Sequence, residues 1–464
     1  MSISNKNYAL LVAVMAAFLT PFVGSSINIA LPPIGMEFGA DAVLLGWINT
    51  IYLLTLAVFL IPLGRIADIH GRKRIFTYGI ILFTISSLLA AFSSSLEMLM
   101  VLRVLQGASS AMIFGNLFAI IASLFPDGER GKALGITVTG AFMGLFLGPV
   151  LGGILTQYLG WRSIFFFNVP LGILTTLAVF RLKGEWAEGS GEKFDLVGSV
   201  VLGGSLTVLI YGLAQLPENF GYYLILMGLI GLGTFFYMEG RIKSPVLDVK
   251  IFKNRSFTLH NLAAFISYSA GVPIVFLLSL YLQFVKGMGP QSAGLILAVQ
   301  PVMMAIFSPL AGMLSDKIEP YRVAGLGMGL TTLGLAGLTF LGEDTNLGLV
   351  VVCLVALGMG FALFSSPNTN VIMGSVESRL YGAASATLSS IRVLGQMSGM
   401  AVAILVLNIV MGSAIISPEN YSSFIYSSQL SFALFAGTAF IGMILSLSGK
   451  KSVDDLFKKL LFCE

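Results

Sequence analysis

Gly64-Arg65-Ile66-Ala67-Asp68-Ile69-His70-Gly71-Arg72-Lys73-Arg74 is a polar break between two apolar runs, each near the ~20 residues that cross a bilayer core. It holds Arg65, Arg72, Lys73 and Arg74, and Lys6 lies just before the first run. Every second break after it is basic in the same way. These breaks carry Arg130 and Lys132, then Arg181, Lys183 and Lys193, then the group from Arg241 to Arg255, then Lys317 and Arg322, then Arg379. The tail adds Lys450, Lys451, Lys458 and Lys459, whereas the intervening breaks hold only Arg162 and Lys286. Such alternation across about fourteen runs between Tyr8 and Ser448 puts both termini in the cytoplasm and makes the number of spans even.

Composition agrees with a chain dissolved in lipid. Charged residues make up 10% of it, against about a quarter in soluble domains. The net charge of +4 is spread over many turns, which argues against a nucleic-acid partner. Cys353 and Cys463 form no disulfide framework, and His70 and His260 are far apart in sequence, so no metal site is expected. The first run is too long, too lightly charged at its start and too polar at its end for a removable signal peptide, and is read as span one. The second span is expected over about 43–63, and the other boundaries carry a similar margin. The tail, 449–464, places Val453, Leu456, Phe457, Leu460 and Leu461 on one helical face; it either lies along the inner membrane surface or is a solvated charged tail.

The opening stretch has an echo. Gly312-Met-Leu-Ser-Asp316 repeats the Gly-x-aliphatic-small-Asp pattern of Gly64 to Asp68, and Gly395-x-x-x-Gly399 repeats Gly144-x-x-x-Gly148. Both echoes lie some ~250 residues apart, at matching positions in the span order, as expected of a transporter built from two repeated halves. The domains read as a six-helix bundle over 1–182, two linker helices and a loop over 183–256, a second six-helix bundle over 257–448, and the tail. The fold class is an all-α polytopic membrane protein of fourteen transmembrane helices.

With these residues in view, the chain resembles the major facilitator superfamily. Gly64 to Arg74 resembles its signature between the second and third helices. Leu102-Arg-Val-Leu-Gln-Gly107 resembles its arginine motif. Gly140-x-x-x-Gly144-x-x-x-Gly148-Pro149-x-x-Gly152-Gly153 resembles the antiporter motif of its exporting branches. Asn28-Ile-Ala-Leu-Pro-Pro33 and Trp161-Arg-Ser-Ile-Phe-Phe-Phe-Asn-Val-Pro-Leu-Gly172 look like the fourteen-span drug:proton antiporter group. One departure stands out: Val23 occupies the place where that group commonly carries an aspartate.

The resemblance implies a proton-coupled exporter of hydrophobic small molecules, a monomer in the cell inner membrane. It implies no enzymatic activity and no cofactor, with the proton gradient as energy source. Arg103 and Gln106 would couple proton movement to the cavity. Gly64, Asp68, Gly71 and Arg72, with Asp316 in the second half, would form the conformational gate. Gly144, Gly148, Pro149, Gly152 and Gly153 would make a packed, bendable seam between the halves.

A charge within the bilayer costs at least ~2.5 kcal/mol unless it faces water or protein. Arg103 therefore marks a functional site or snorkels outward, and Arg392 lines a site or clamps backbone carbonyls. Asn28, Gln300, Arg392 and Gln396 are the expected substrate-cavity residues; Asn49, Tyr52, Asn116, Asn368 and Asn370 read first as helix-to-helix hydrogen bonds. Gly325-Leu-Gly-Met-Gly329 lies inside a span, Ser448-Gly-Lys-Lys451 lacks phosphate-loop spacing, and His-Glu-x-x-His and Gly-x-Ser-x-Gly are missing from the sequence, so hydrolysis of ATP by this chain is not expected. Two other readings stay open: carriage of a neutral or anionic metabolite with different coupling, and a non-transporting membrane receptor or sensor on the same fold.

Overall fold

The computed structural model describes residues 3–125, 130–182, 184–185, 194–242, 249–377 and 381–448. Within lipid each backbone N–H and C=O must be satisfied inside the chain, and the described residues meet that demand with helices alone.

In chain order these are α1 (Ile3–Phe38), α2 (Ala42–His70), α3 (Arg72–Ala90), α4 (Leu96–Leu124), α5 (Arg130–Leu159), α6 (Arg162–Arg181), α7 (Leu196–Ala214) and α8 (Asn219–Glu239). They continue with α9 (Arg255–Leu280), α10 (Pro290–Leu297), α11 (Val299–Lys317), α12 (Pro320–Leu338), α13 (Leu347–Gly374), α14 (Tyr381–Met411) and α15 (Tyr421–Leu447). α9 runs on as a π-helical turn, Tyr281–Val285. α10 and α11 form one span broken at Ala298, so the described residues make fourteen helical spans. Thirteen are long and apolar enough to cross a membrane; α12 falls short because its first turn holds Arg322 and many of its remaining residues are glycine.

Helix starts follow local chemistry. Asp41, Ser95, Asp195 and Asn346 accept from backbone N–H groups in the first turns of α2, α4, α7 and α13. The end of α2 departs from the expected boundary near residue 63. The helix continues through Gly64 and Asp68 to His70, and the chain turns only at Gly71, whose φ of +114° suits glycine. Gly64 thus makes no turn; it lies on α2 opposite Gly115 of α4, where the helices approach to 3.6 Å between the Gly64 Cα and a Cβ built on Gly115.

The chain divides into two compact units. The first holds residues 1–247, 275–298 and 400–424; the second holds 248–274, 299–399 and 425–464. In the first unit α1 packs along α5, α2 along α4, and α3 against α4 and α6, while α7 and α8 pair with each other and α7 leans on α2. In the second, α13 packs against both α11 and α12, and α9 lies against α14 through Gly395 and Gly399. The tail amphipathic face at 449–464 lies outside the described residues.

Candidate functional site

The first unit holds a polar network around Arg103 on α4. The side chain is fully buried. Its Nε donates to the Ile48 carbonyl at 3.2 Å and its Nη1 to Gln106 Oε1 at 2.9 Å; Gln106 Nε2 donates onward to Ser87 Oγ at 3.0 Å. The guanidinium carbon sits 4.2 Å from the centre of the Tyr52 ring, and the Tyr52 hydroxyl donates to Ser110 at 3.0 Å. Nη2 has no partner, and no carboxylate lies within ion-pair distance of Arg103 among the described residues. Arg103 does not snorkel. α2, α3 and α4 enclose it, and its charge is met by dipoles and a π face.

Next to this network, Asn49 Nδ2 donates to Asn28 Oδ1 at 2.8 Å, and the Asn28 amide donates to the Gly24 carbonyl at 3.0 Å. Ser279 Oγ donates to the Asn28 carbonyl at 2.5 Å, and Gln283 Nε2 donates to the Ile29 carbonyl at 3.0 Å. Asn28 is therefore a buried junction between α1, α2 and the end of α9.

The glycine stripe of α5 is pressed onto α1. A Cβ on Gly140 would stand 2.6 Å from the Val14 carbonyl oxygen, one on Gly144 2.6 Å from the Phe18 oxygen, and one on Gly152 2.6 Å from Ser26 Cβ. At Gly148 it would collide with Ser25 Oγ at 1.8 Å. Gly153 and Pro149 face elsewhere: a Cβ on Gly153 would meet the Pro290 oxygen at 2.7 Å, and one on Gly294 of α10 would meet the Pro149 oxygen at 2.2 Å. The motif thus has two faces. Four glycines let α1 approach, and Pro149 with Gly153 receives α10.

At the α2–α3 turn, Arg72 Nε donates to Asp68 Oδ1 at 2.7 Å and Arg72 Nη1 to Ser123 Oγ at 3.1 Å. The Lys73 backbone N–H donates to Glu185 at 2.8 Å. This fastens the turn to α4 and to the segment after α6. In the second half Asp316 falls near the end of α11, and its side chain lies outside the described residues.

In the second unit Arg392 on α14 is half-buried. Nη2 donates to Thr369 Oγ1 at 2.8 Å, and the guanidinium lies 5.3 Å from the Tyr268 ring centre; Nε is buried without a partner. Among the described residues it clamps no backbone carbonyl. Gln396 follows one turn along the same helix face and is half-buried. Gln300 is buried with Oε1 unpartnered. Asn116 bonds within its own helix, to the Met112 carbonyl, whereas Asn368 and Asn370 bond across helices, to His260 and Ser315.

The repeat reaches much further than the two echoes visible in sequence. Gly107 and Gly358 each face a backbone oxygen of the second helix of their half, Tyr52 and Gln300, at 2.6 and 2.4 Å from a built Cβ. Gly79 is crowded by Ser109 and Met112, and Gly327 by Gly360 and Leu363. Gly144 meets Phe18 and Gly395 meets Phe265, while Gly148 meets Phe22 and Gly399 meets Ser269. Each pair keeps one shift within its helix, near ~250 residues. Extending the repeat comparison to the third and fourth helices would have found Gly79 and Gly107 from sequence, whereas Gly115 falls opposite Ser366. The bond from Gln106 to Ser87 of α3, which extends the Arg103 network, carries no such signal.

The Major Facilitator Superfamily profile matches residues 13–400 and 260–458, and the chain belongs to that family. It is 30% identical over 454 residues to the riboflavin transporter RibZ of Clostridioides difficile (strain 630), covering 97% of this chain and 98% of that one. It is 31% identical to the multidrug resistance protein Stp of Mycobacterium tuberculosis (strain CDC 1551 / Oshkosh), over 81% of this chain and 71% of that one. It is also 31% identical to the cephamycin export protein CmcT of Amycolatopsis lactamdurans, over 86% and 84%. The fold matches a bacterial homologue of the lysosomal transporter Spinster, in an inward-facing and unoccupied conformation, with a TM-score of 0.69 at 16% identity, over 96% of this chain and 97% of that one. The protein is thus a multi-pass membrane transporter of small molecules with the major facilitator fold, two six-helix bundles and two inserted helices.

Proposed function

We propose that this transporter exports hydrophobic small organic molecules across the plasma membrane in exchange for protons, by alternating access, as a monomer of the fourteen-span drug:proton antiporter group with both termini in the cytoplasm. The observation that carries this reading is the α5 seam. Its Gly-Pro-x-x-Gly-Gly segment is pressed on one side to Ser25 and Ser26 of α1 and on the other to Pro290 and Gly294 of α10. A seam without side chains lets helices of the two halves meet with little void and separate as rigid bodies. The relatives named for multidrug resistance and cephamycin export support the direction. In the cycle, the halves 1–182 and 257–448 would rock about a shared cavity lined by Asn28, Gln300, Arg392 and Gln396. The Asp68–Arg72 turn would hold one state, with Asp316 as its counterpart. Arg103 and Gln106 would transmit proton movement to that cavity.

A second reading, carriage of a neutral or anionic metabolite with different coupling, is favoured by a specific observation: neither Arg103 nor Arg392 meets a carboxylate among the described residues, and each stacks on a tyrosine. The full-length likeness to a riboflavin transporter points the same way. The receptor reading has no observation in its favour.

Everted vesicles separate the two. Lipophilic dyes and drugs should accumulate on energisation and leak back on adding an uncoupler. Riboflavin flux that equilibrates without regard to the uncoupler, with no drug accumulation, would replace the first reading with the second.

A further inference from the structure

The proton-exchange reading needs a group that gains and loses a proton. Apart from arginine, tyrosine and Cys353, the buried titratable side chains within the described spans are Glu239, the last residue of α8, and His260, five residues in from the start of α9; His260 is the one set inside its helix. It is 1% exposed. Histidine is also the side chain whose ordinary titration falls at physiological pH.

Its hydrogen bonds define which atom takes the proton. Asn368 Nδ2 donates to the His260 carbonyl oxygen at 3.1 Å, which orients the amide and leaves Oδ1 as an acceptor. His260 Nδ1 lies 3.1 Å from that Oδ1 and therefore carries the hydrogen. In the neutral ring Nε2 then holds the lone pair and is the atom that accepts a proton. The pair belongs to a polar strip tying α9 and its entry to α13: Asn254 Nδ2 donates to the Ser375 carbonyl at 2.6 Å, and Tyr268 and Ser365 share a hydroxyl bond at 3.0 Å.

The fold does not require this tie. The repeat that matches Phe265 to Phe18 and Gly358 to Gly107 places Ala13 at the register of His260 and Leu117 at that of Asn368. Both are buried, at 2% and 1% exposure. One half packs this position with hydrocarbon, and the other places a titratable ring there.

We propose that His260 is a proton-binding site of the transport cycle, loaded at Nε2 from water and unloaded to water, and that loading opens the α9–α13 tie; this rests on the proton-exchange reading. A full charge on a ring that is 1% exposed is costly in that interface, so the charged ring is stable only where water reaches it. The other titratable groups on α13, on α15 and on the turn Val249–Lys253 are Cys353, Glu377 beyond the end of α13, Tyr421, Tyr426, Lys250 and Lys253; α9 itself bears Arg255 and Tyr268. None of these is hydrogen-bonded to the ring. The neutral ring holds the tie, which loosens as pH falls through the histidine's titration.

The chain has two histidines, so histidine-labelled protein in nanodiscs reports on His260 directly once His70→Gln removes the other signal. The expected spectrum is an Nδ1–H tautomer at high pH that gains a second ring N–H, at Nε2, as the pH is lowered. Spin labels at the exposed ends of α9 and α13 should separate over the same range. His260→Gln should abolish that separation and reduce pH-driven accumulation of a lipophilic dye roughly tenfold, while unenergised exchange of the dye changes less than about twofold. The double variant His260→Ala, Asn368→Leu, which copies the other half, gives the same test with an apolar packing. A ring that does not titrate, or a tie that opens identically in both variants, overturns the proposal. A wild type whose His260 titrates and whose tie moves, yet which shows no pH-driven flux, overturns the exchange reading and keeps the proton site. Full pH-driven flux in both variants removes the site from the cycle.

Discussion

The two halves of this transporter share helix contacts and differ in what fills them. At the crossing of the second and fourth helices, Gly107 meets Tyr52 in the first half and Gly358 meets Gln300 in the second. One turn away the first half buries Arg103, Gln106 and Ser87, where the same register in the second half holds Leu354, Leu357 and Leu335, each fully buried. The second half instead carries its charge on the fifth helix, at Arg392, and its titratable group on the first, at His260. Backbone-to-backbone approach is common to both halves because it determines the bundle. Polar groups are not, because each costs free energy in an apolar interior unless hydrogen-bonded, and is placed once, where it serves.

The largest effect should come from the shared contacts. Gly148→Leu and Gly399→Leu each drive a side chain into an α1 or α9 neighbour, at Ser25 Oγ and at the Ser269 oxygen. Overpacking of this kind costs about 1–3 kcal/mol or more. Both variants should lose transport completely, with Gly148→Leu still found in the membrane fraction; wild-type flux in either would break the equivalence of the two seams.

Arg103→Leu tests the difference between the halves, since it installs the residue of the other half. Removing the charged donor leaves Gln106 Oε1 without its partner, a loss of about 1.5–3 kcal/mol that is offset in part by the desolvation of the guanidinium no longer incurred. Melting temperature in detergent should therefore move little while transport falls at least roughly a hundredfold. A variant that transports normally would make the network a packing device.

Asp68→Asn acts on an ion pair whose side chains are 30% and 11% exposed, for Asp68 and Arg72, so its stability effect should stay below about 1 kcal/mol. Flux should nonetheless drop several-fold if the turn holds one state of the cycle. Unchanged flux would reduce the turn to a membrane anchor. The smallest change is expected for Thr369→Val, which removes one hydrogen bond to Arg392, worth about 1 kcal/mol. It should raise KM for a bound substrate without altering protein abundance; an unchanged KM would place Arg392 off the substrate path.

Much of the architecture was legible in the chain itself. Run length and composition identify the spans, and the Gly-x-x-x-Gly echo between α5 and α14 corresponds to equivalent contacts in space. The turn after α2 was misread because glycine serves two purposes: Gly64 and Gly71 look alike in sequence, yet one admits a neighbouring helix and the other adopts a positive φ. The tie between His260 and Asn368 joins residues on separate helices, and nothing in either local sequence signals the other.

By itself, then, the sequence determined that this is a membrane transporter built from two related sets of helices, because hydrophobic length and the periodic recurrence of small residues are properties of the chain read in order. Only the tertiary structure decided that Arg103 is sealed between α2, α3 and α4, that the α5 stripe serves α1 while Pro149 and Gly153 serve α10, and that a histidine occupies one half where alanine occupies the other. Those outcomes depend on which helix faces meet, and helix rotation and register are determined by packing among helices, not by the hydropathy of any one of them.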